Sequence, residues 1–357
     1  MKFPDSATVA QIDLFDEVID VRSPAEYAED HVPGAQNLPV LDDAERARIG
    51  TLYKQVSPFE SKRRGAALVA HNIARHLETG LAHKDRNWRP LVYCWRGGKR
   101  SGAMVHVLRE IGWQAAQLDG GYKSYRRMVV ESLDSLPENF RYLVLCGETG
   151  SAKSRLLEAL ARDGGQVLDL EGLARHRGSV LGNLPASPQP AQKMFDTLVW
   201  DALRRLDPGR PVFVEAESKK IGQVQVPERL IQRMRTADCI RIEAPAAERV
   251  KFLIEEYRHF LADPPALKAQ LDCLLSLHGK ETIGAWKSLV DRGAWPELVG
   301  DLLESHYDPA YQRSTQRNFP RLADARVVRL ASLAPQAIER AARDLVAAVG
   351  SESPALA

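Results

Sequence analysis

The sequence predicts an α/β protein of two parallel-sheet domains, the second carrying a helical insertion. Three observations predict this. Apolar runs of strand length alternate with segments of helical periodicity. Two of those runs lead straight into glycine-containing loops that open helices. A polar, proline-bearing segment, Ser132–Asn139 (SLDSLPEN), separates the two alternations. The domains are therefore expected at residues 1–134 and 135–357. A chain of 357 residues has the length for two cores, and its 44% hydrophobic and 27% charged residues exclude disordered and fibrous classes. No apolar run nears the roughly 18 residues that span a bilayer, so no membrane contact is expected.

In chain order, the first domain is expected to place strands at Glu17–Val21, Leu91–Cys94 and Ala115–Leu118, with helices near Ser61–Glu78 and Ser101–Ile111. In the second, Arg141–Cys146, Gln166–Leu170, Pro211–Glu215, Asp238–Ile242 and Arg326–Leu330 read as strands with helices between them. Such short, continuous apolar runs suit parallel strands covered on both faces. Residues 246–316 show helical periodicity with Trp286, Trp295 and Tyr311 interleaved, and form the expected insertion before the last strand. The tail Ser351–Ala357 is expected to fray. Met1–Asp13 carries no basic region followed by an apolar one, so a cytoplasmic location is expected. Cys94, Cys146, Cys239 and Cys273 lie far apart without a C-x-x-C pair, which argues against a metal site and a disulfide framework. The net charge of +2 means that any nucleic-acid contact must come from local patches.

Cys94 ends a predicted strand and opens the loop Cys94-Trp95-Arg96-Gly97-Gly98-Lys99-Arg100-Ser101 before a helix. A thiol there faces loop amides, a helix N-terminus and three cations, all favouring the thiolate, so Cys94 is the nucleophile candidate. Gly97 and Gly98 allow an anion-binding nest, and Arg96, Lys99, Arg100 and Ser101 complete an oxyanion loop above the sulfur. Both chalcogen transfer through a persulfide-type intermediate and phosphoryl transfer through a phosphocysteine use such a loop, and its C-x5-R spacing leaves the two open. Two other segments, Asp20–Tyr27 (DVRSPAEY) and His31–Pro39 (HVPGAQNLP), together with Asp119–Tyr122 (DGGY), resemble the signatures of rhodanese domains over about residues 12–130. Single-cysteine rhodaneses often have a loop one residue shorter, and this length is similar to that of rhodanese-like phosphatases, which usually place His where this chain has Tyr93. The longer loop suits a donor bulkier than thiosulfate. Asp20 and Arg22 are expected to fix the loop as an ion pair, and His31 to serve a turn.

The second site starts at Leu143–Cys146 and continues through Gly147-Glu148-Thr149-Gly150-Ser151-Ala152-Lys153-Ser154 into a helix, the order of a P-loop. Loop amides around Gly147, Thr149, Gly150 and Ser151 would cradle phosphates, Lys153 would pair with them, and the Ser154 hydroxyl allows Mg2+. Ala152 stands where the pattern has Gly, and its methyl is expected to tighten or reshape the pocket, favouring phosphate or diphosphate binding over ATP hydrolysis. Asp169, Glu171, Glu215 and Glu217 lie at or just beyond strand ends, where ligands of open α/β sheets sit, and are candidate acid/base or phosphate-side groups with His176, Arg177 and Lys219.

A rhodanese-type half joined to a P-loop half, with the segments LYKQ (52–55), DLEGLARHRGS (169–179), ESKKIG (217–222) and HYDPAY (306–311), resembles the bacterial tRNA 2-selenouridine synthase family over nearly the whole chain. The resemblance implies a transferase that replaces the sulfur of wobble 2-thiouridine, in a tRNA anticodon loop, with selenium from selenophosphate. The route runs through an S-geranyl intermediate made from geranyl diphosphate. It implies that Cys94 carries the selenium and that the P-loop grips the diphosphate, with no tightly bound cofactor. A monomer is expected. Arg229, Arg233 and Arg235, and Arg313, Arg317 and Arg321, are candidate RNA-phosphate contacts; Trp286, Trp295, Tyr307 and Tyr311 are read as core or as base-stacking groups. The alternative is a rhodanese-type sulfurtransferase that uses its P-loop for ATP.

Overall fold

The computed structural model describes residues 4–179, 182 and 187–351, so all but the first residue of the tail expected to fray lies outside the described residues. The chain divides into two compact units, Met1–Ser132 with Ala191–Asp201, and Leu133–Pro190 with Ala202–Ala357.

The first unit contains β1 (Ser6–Ala7), β2 (Glu17–Asp20), β3 (Gln36–Asn37), β4 (Pro90–Tyr93) and β5 (Ala116–Leu118), in the order β1-β5-β4-β2-β3. Every pairing is parallel. The chain between strands forms α1 (Pro24–Glu29), α2 (Asp43–Gln55), α3 (Pro58–Glu78), α4 (Lys99–Ile111) and α5 (Gly121–Leu133). β4 is buried along its whole length, as a central parallel strand with helices on both faces must be. Val92, Ile19, Val21, Met104 and Leu108 meet in the core. α2 escapes sequence reading because none of its residues is buried, so no apolar stripe marks it; it is capped by Asp42 and Glu45.

The second unit contains β6 (Tyr142–Cys146), β7 (Gln166–Leu168), β8 (Val212–Glu215), a short antiparallel pair β9 (Lys220–Ile221) and β10 (Val224–Gln225), β11 (Asp238–Glu243) and β12 (Arg326–Arg329). Its main sheet is parallel, in the order β12-β11-β6-β8-β7. Every expected strand forms, with ends displaced by at most two residues; the pairs and strands too short to show a period (β1, β3, β9, β10) were not legible. Around the sheet lie α6 (Lys153–Arg162), α7 (Leu170–Ala174), α9 (Glu228–Thr236) and α16 (Pro335–Ser351). The expected insertion is a run of helices: α10 (Ala246–Glu256), α11 (Arg258–Leu261), α12 (Pro264–Asp272), α13 (Leu275–Asp291), α14 (Trp295–Leu302), a π-helical turn at Leu303–Tyr307, and α15 (Asp308–Asn318). Its own core joins Leu267, Leu271, Ile283, Trp286, Leu298 and Leu302, which gives Trp286 to packing rather than to RNA. Among the described residues no helix is long and apolar enough to cross a membrane.

One segment departs from a simple division at residue 135. Most of α8 (Gln192–Arg204) groups with the first unit. There Arg126 pairs with Asp196 and donates to the Lys193 carbonyl at 2.9 Å, Lys193 pairs with Glu29 at 2.7 Å, and Trp200 meets Tyr125 edge-on at 5.8 Å. Nothing in local periodicity announces such a return.

The first unit is pinned by a buried ion pair. Asp20 and Arg22 are both fully buried; Arg22 donates Nε and Nη2 to the Asp20 carboxylate at 2.6–3.0 Å and Nη2 to the Asp30 carbonyl at 2.6 Å. Its guanidinium also covers the Tyr122 ring at 3.9 Å. Removing one partner strands a buried charge, so Asp20→Ala is expected to destabilise the protein by about 3–5 kcal/mol in denaturant titration. A loss below about 1 kcal/mol would show that the pair does not hold the unit together.

Candidate functional site

In the first unit, β4 delivers Cys94 to the start of α4. The thiol is buried, and its Sγ accepts from the Gly98 amide at 3.2 Å and from Ser101 Oγ at 3.1 Å. Burial pushes the thiol's pKa up, but hydrogen bonds from the Ser101 side chain and from the amides of Ser101, Gly98 and Arg96 outweigh it, and the net shift is downward. The helix-start amides thus stabilise a thiolate.

The cations stand differently from expectation. Arg96 and Lys99 are exposed at the rim, and Arg100 donates to Glu26 at 3.0 Å instead of turning over the sulfur. Arg100 consequently ties α4 to the cap of α1, because Glu26 also closes the capping box with Ser23. The Asp119–Tyr122 segment is the loop's floor. The Tyr122 amide donates to the Cys94 carbonyl at 2.8 Å and the Lys123 amide to the Trp95 carbonyl at 3.0 Å. A Cβ on Gly121 (φ +58°) would lie 2.2 Å from the Cys94 carbonyl oxygen, so only glycine lets these two turns touch. Tyr93 and His31 are structural: Tyr93 Oη accepts from the Val32 amide at 3.2 Å, and His31 Nδ1 lies 2.8 Å from the Tyr27 carbonyl.

Sequence reasoning missed Gln117. Its Nε2 donates to Ser101 Oγ at 2.8 Å and to the Gly98 carbonyl at 3.0 Å. With its oxygen accepting from Gln117, the Ser101 hydroxyl is turned to donate to Cys94. Gln117 sits on β5, far from the loop in sequence, and carries no motif that would have exposed it.

In the second unit, the P-loop joins β6 to α6. Ala152 takes the left-handed conformation (φ 59°, ψ 31°) that a glycine there adopts freely, and it is buried in the core shared with Leu145, Leu156 and Ile242. The departure from the pattern therefore costs backbone strain of about 1 kcal/mol. Lys153 Nζ donates to the loop's own carbonyls, Gly147 at 2.6 Å and Glu148 at 3.2 Å. The Gly147 amide donates to Tyr311 Oη at 2.5 Å, and Lys153 lies 5.7 Å from the Tyr311 ring. Tyr311 is thus not simple core; its hydroxyl belongs to the phosphate loop and its ring faces the cleft beside that loop. Arg249, buried, bridges loop residue Glu148 to Asp308, the latter at 2.8 Å, and so fastens the loop to α10 and α15.

Carboxylates gather on the loop's other side. Ser154 Oγ donates to Glu171 at 2.9 Å, the Glu171 amide donates to Glu215 at 3.1 Å, and Glu217 hydrogen-bonds Glu171. Burial first, then the neighbouring carboxylates, pushes Glu215 and Glu217 well above the usual range; burial also raises Glu171 despite the attraction of Lys153 and the Ser154 hydrogen bond. Burial lowers Lys153, with the surrounding carboxylates working against that shift.

Of the remaining candidates, Asp169 and Arg177 act on this cluster through charge, Asp169 raising Glu171 and Glu215 and Arg177 opposing it at Glu171, while each makes its hydrogen bonds elsewhere. Asp169 is exposed and caps α7 by accepting from the Gly172 amide at 2.7 Å. Buried His176 is held toward its neutral form by desolvation and accepts from the Gly178 amide at 3.1 Å. Arg177 pairs with Glu256 at 2.5 Å, and Lys219 with Glu228 at 2.7 Å in solvent. Ser151 is buried, and Thr149 is partly buried in the loop. Of the candidate RNA contacts, Arg233 pairs with Glu138 at 3.2 Å and Arg321 with Asp238 at 2.7 Å, whereas Arg313 and Arg317 are exposed on α15.

Beside Thr149 lies an apolar cavity of about 60 Å3, lined by Leu253, Tyr257, Phe260, Trp295, Leu298 and Tyr307 among others. The helical insertion supplies almost all of this wall.

Comparison with known proteins follows these two sites. The family described as "Rhodanese-like domain" matches residues 7–128, and "tRNA 2-selenouridine synthase AAA domain" matches residues 140–269. The tRNA 2-selenouridine synthase of Nitrosomonas europaea is 37% identical over 244 residues, covering 67% of this chain and 63% of that protein. The protein of the same name from Alcanivorax borkumensis is 33% identical over 329 residues, covering 84% of this chain and 90% of that protein. That from Aeromonas salmonicida is 36% identical over 264 residues, covering 73% and 70%. The chain therefore spans slightly less than two thirds of the Nitrosomonas europaea relative.

Two outcomes test the site's physics. Gln117→Ala frees the Ser101 hydroxyl to turn away, so the pH profile of Cys94 alkylation is expected to move to higher pH and the neutral-pH rate to fall about fivefold, the worth of one hydrogen bond. An unmoved profile would confine Gln117 to packing. The raised carboxyls of Glu171, Glu215 and Glu217 mean that the folded state holds more protons than the unfolded one above the ordinary carboxylate range, so their contribution to stability is lost as pH rises through those folded pKa values. Glu215→Gln is expected to raise Tm at neutral pH and flatten its pH dependence. A less stable variant with an unchanged slope would show Glu215 ionised and satisfied.

Proposed function

Because the chain belongs to the tRNA 2-selenouridine synthase family, we propose that it is a tRNA-modifying transferase that exchanges the sulfur of a wobble 2-thiouridine for selenium. The observation that carries the finer reading is the apolar cavity at Thr149, a residue of the phosphate loop itself. A phosphate cradle with an apolar cavity beside it suits a prenyl diphosphate such as geranyl diphosphate: the diphosphate on the loop, the chain among α10, α11 and α14. At about 60 Å3 the cavity is below the roughly 300 Å3 of ordinary ligand pockets, so entry of a whole C10 chain requires these helices to part.

In this reading the 2-thiouridine sulfur attacks C1 of the geranyl group. A C–S bond forms, the C1–O bond breaks, diphosphate leaves with the electron pair, and the proton on N3 of the base passes to solvent. Lys153 releases the Gly147 and Glu148 carbonyls to pair with the departing charge, and the loop amides stabilise it. An activated water has no part in this step.

Mg2+ fits the same place. Ser154 and Glu171 already meet at 2.9 Å, and they would hold the ion, which would neutralise phosphate charge. Among the described residues no group of three or more His, Cys, Asp or Glu side chains is set to hold a metal by itself, so the substrate's phosphates would complete its shell.

Selenium then replaces the geranylated sulfur at C2 of the pyrimidine in two displacements: the Cys94 thiolate bonds to C2 as the C–S bond to geranyl thiol breaks, that thiol leaving with a proton, and the selenium of selenophosphate then displaces Cys94 while water cleaves the Se–P bond and releases phosphate. The Cys94 loop serves this step. Its inward amides suit the anionic selenophosphate, exposed Arg96 and Lys99 guide it, and the Cys94 thiolate holds C2 until the selenium, which stays at the selenide level throughout, displaces it. The cytoplasm, where tRNA is modified, is the proposed compartment.

The test is nucleoside mass spectrometry after incubation of 2-thiouridine tRNA with geranyl diphosphate and selenophosphate. Cys94→Ala is expected to abolish 2-selenouridine while S-geranyl-2-thiouridine persists, and Lys153→Ala to lower geranylation by at least about tenfold, the value of a lost charge-assisted contact. Full selenation by Cys94→Ala would remove that residue from the reaction. Normal geranylation by Lys153→Ala, or ATP turnover in place of geranylation, would move the P-loop to the ATP-using alternative.

A further inference from the structure

A second cavity touches the phosphate loop. It encloses about 440 Å3 and is bounded by the loop's first residues, Gly147 and Glu148, by the end of β11 at Arg241–Ala244, and by Tyr311, Gln312 and Gln316 of α15. The apolar cavity meets the loop one residue later, at Thr149. One continuous helical stripe lines both. Leu303 and Tyr307 face the apolar cavity, and at the same spacing of four Tyr311 and Thr315 face the larger cleft. Between them Asp308 holds Arg249, and through it the loop residue Glu148. An apolar end, a phosphate cradle and a polar cleft thus lie in order along one stripe.

We propose that this cleft takes a nucleobase, that of the acceptor nucleotide in tRNA. The proposal rests on the reading that the loop holds a prenyl diphosphate, since the acceptor must then lie against the same loop. The cleft has the size of a ligand pocket. Tyr311 gives it an aromatic wall whose ring is fixed by the Oη contact to Gly147, and Ile242 and Leu322 give it apolar ones. The carboxamides of Gln312 and Gln316 offer a donor and an acceptor together, which is what a pyrimidine edge of carbonyl and N–H requires. Single-stranded RNA is read in this manner, by stacking and by edge hydrogen bonds. Arg313 and Arg317, exposed on the same helix, supply charge for the flanking phosphates.

A free nucleotide would offer the same chemistry, and the experiment separates the two sources. The full chain is titrated with two anticodon stem-loops identical except at the wobble position, one carrying 2-thiouridine and one abasic, and separately with ATP and with geranyl diphosphate. The wild type is expected to prefer the base-bearing RNA by about tenfold, as stacked bases commonly give. Gln316→Glu, which keeps the acceptor and loses the donor, is expected to erase most of that preference, and Gln316→Ala to reduce it. Gln316 is exposed and bonded to neither catalytic loop, so geranyl diphosphate affinity should not change. An unchanged preference in both variants overturns the proposal, as does a loss of ATP affinity with the preference intact, which would give the cleft to a free nucleotide. Failure of the wild type to bind geranyl diphosphate would instead overturn the reading of the phosphate loop, and the stem-loop comparison would still decide the cleft.

Discussion

The first amides of a helix have no partner within it, and both sites of this protein are built on that deficit. α4 and α6 each follow a buried parallel strand, so each aims its unpaired donors at the carboxyl edge of a sheet. In the first unit a sulfur receives them: the amides of Gly98 and Ser101, helped by the Ser101 hydroxyl, outweigh the burial that would otherwise push the Cys94 thiol up. In the second the loop that carries them is held open by substitutes, with Tyr311 accepting from Gly147 and Lys153 covering two carbonyls. The same backbone physics thus favours the thiolate form in one place and shapes the phosphate loop in the other.

Such loops are irregular, and each is held by distant chain. Gly121 lets the 119–122 turn lie against the Cys94 loop, while Asp20 and Arg22 anchor the strand beside it. The phosphate loop is held through Arg249 by α10 and α15, so the helical insertion serves as its scaffold as well as the wall of the apolar cavity. A change in the insertion would therefore be felt at the phosphates.

The carboxylates opposite Lys153 impose a cost on anion binding. Glu171, Glu215 and Glu217 lie close enough to raise one another's pKa, and a diphosphate brought among them would be repelled unless protons or a divalent cation came with it. Lys153, a single cation whose pKa burial lowers, does not supply that charge alone. The arrangement makes binding sensitive to pH and cation together.

By itself the sequence determined the longer strands of both sheets and both strand–loop–helix junctions, and it singled out Cys94, Lys153 and Ser154. Those depend on contiguous residues: apolar runs, glycines at fixed offsets, and a nucleophile or lysine at the loop. It also marked Glu171, Glu215 and Glu217, of which Glu215 ends β8, Glu217 follows it and Glu171 lies in the first turn of α7. What it left undecided was pairing across the fold. Only the tertiary structure turned Arg100 to Glu26, Arg177 to Glu256 and Asp169 to a helix cap, brought Gln117 to Ser101, and set Tyr311 against Gly147 from 164 residues away. A local pattern fixes where a backbone donor will point, because that follows from neighbouring dihedral angles. Which side chain meets it depends on how remote elements pack, and no spacing in the sequence encodes that distance.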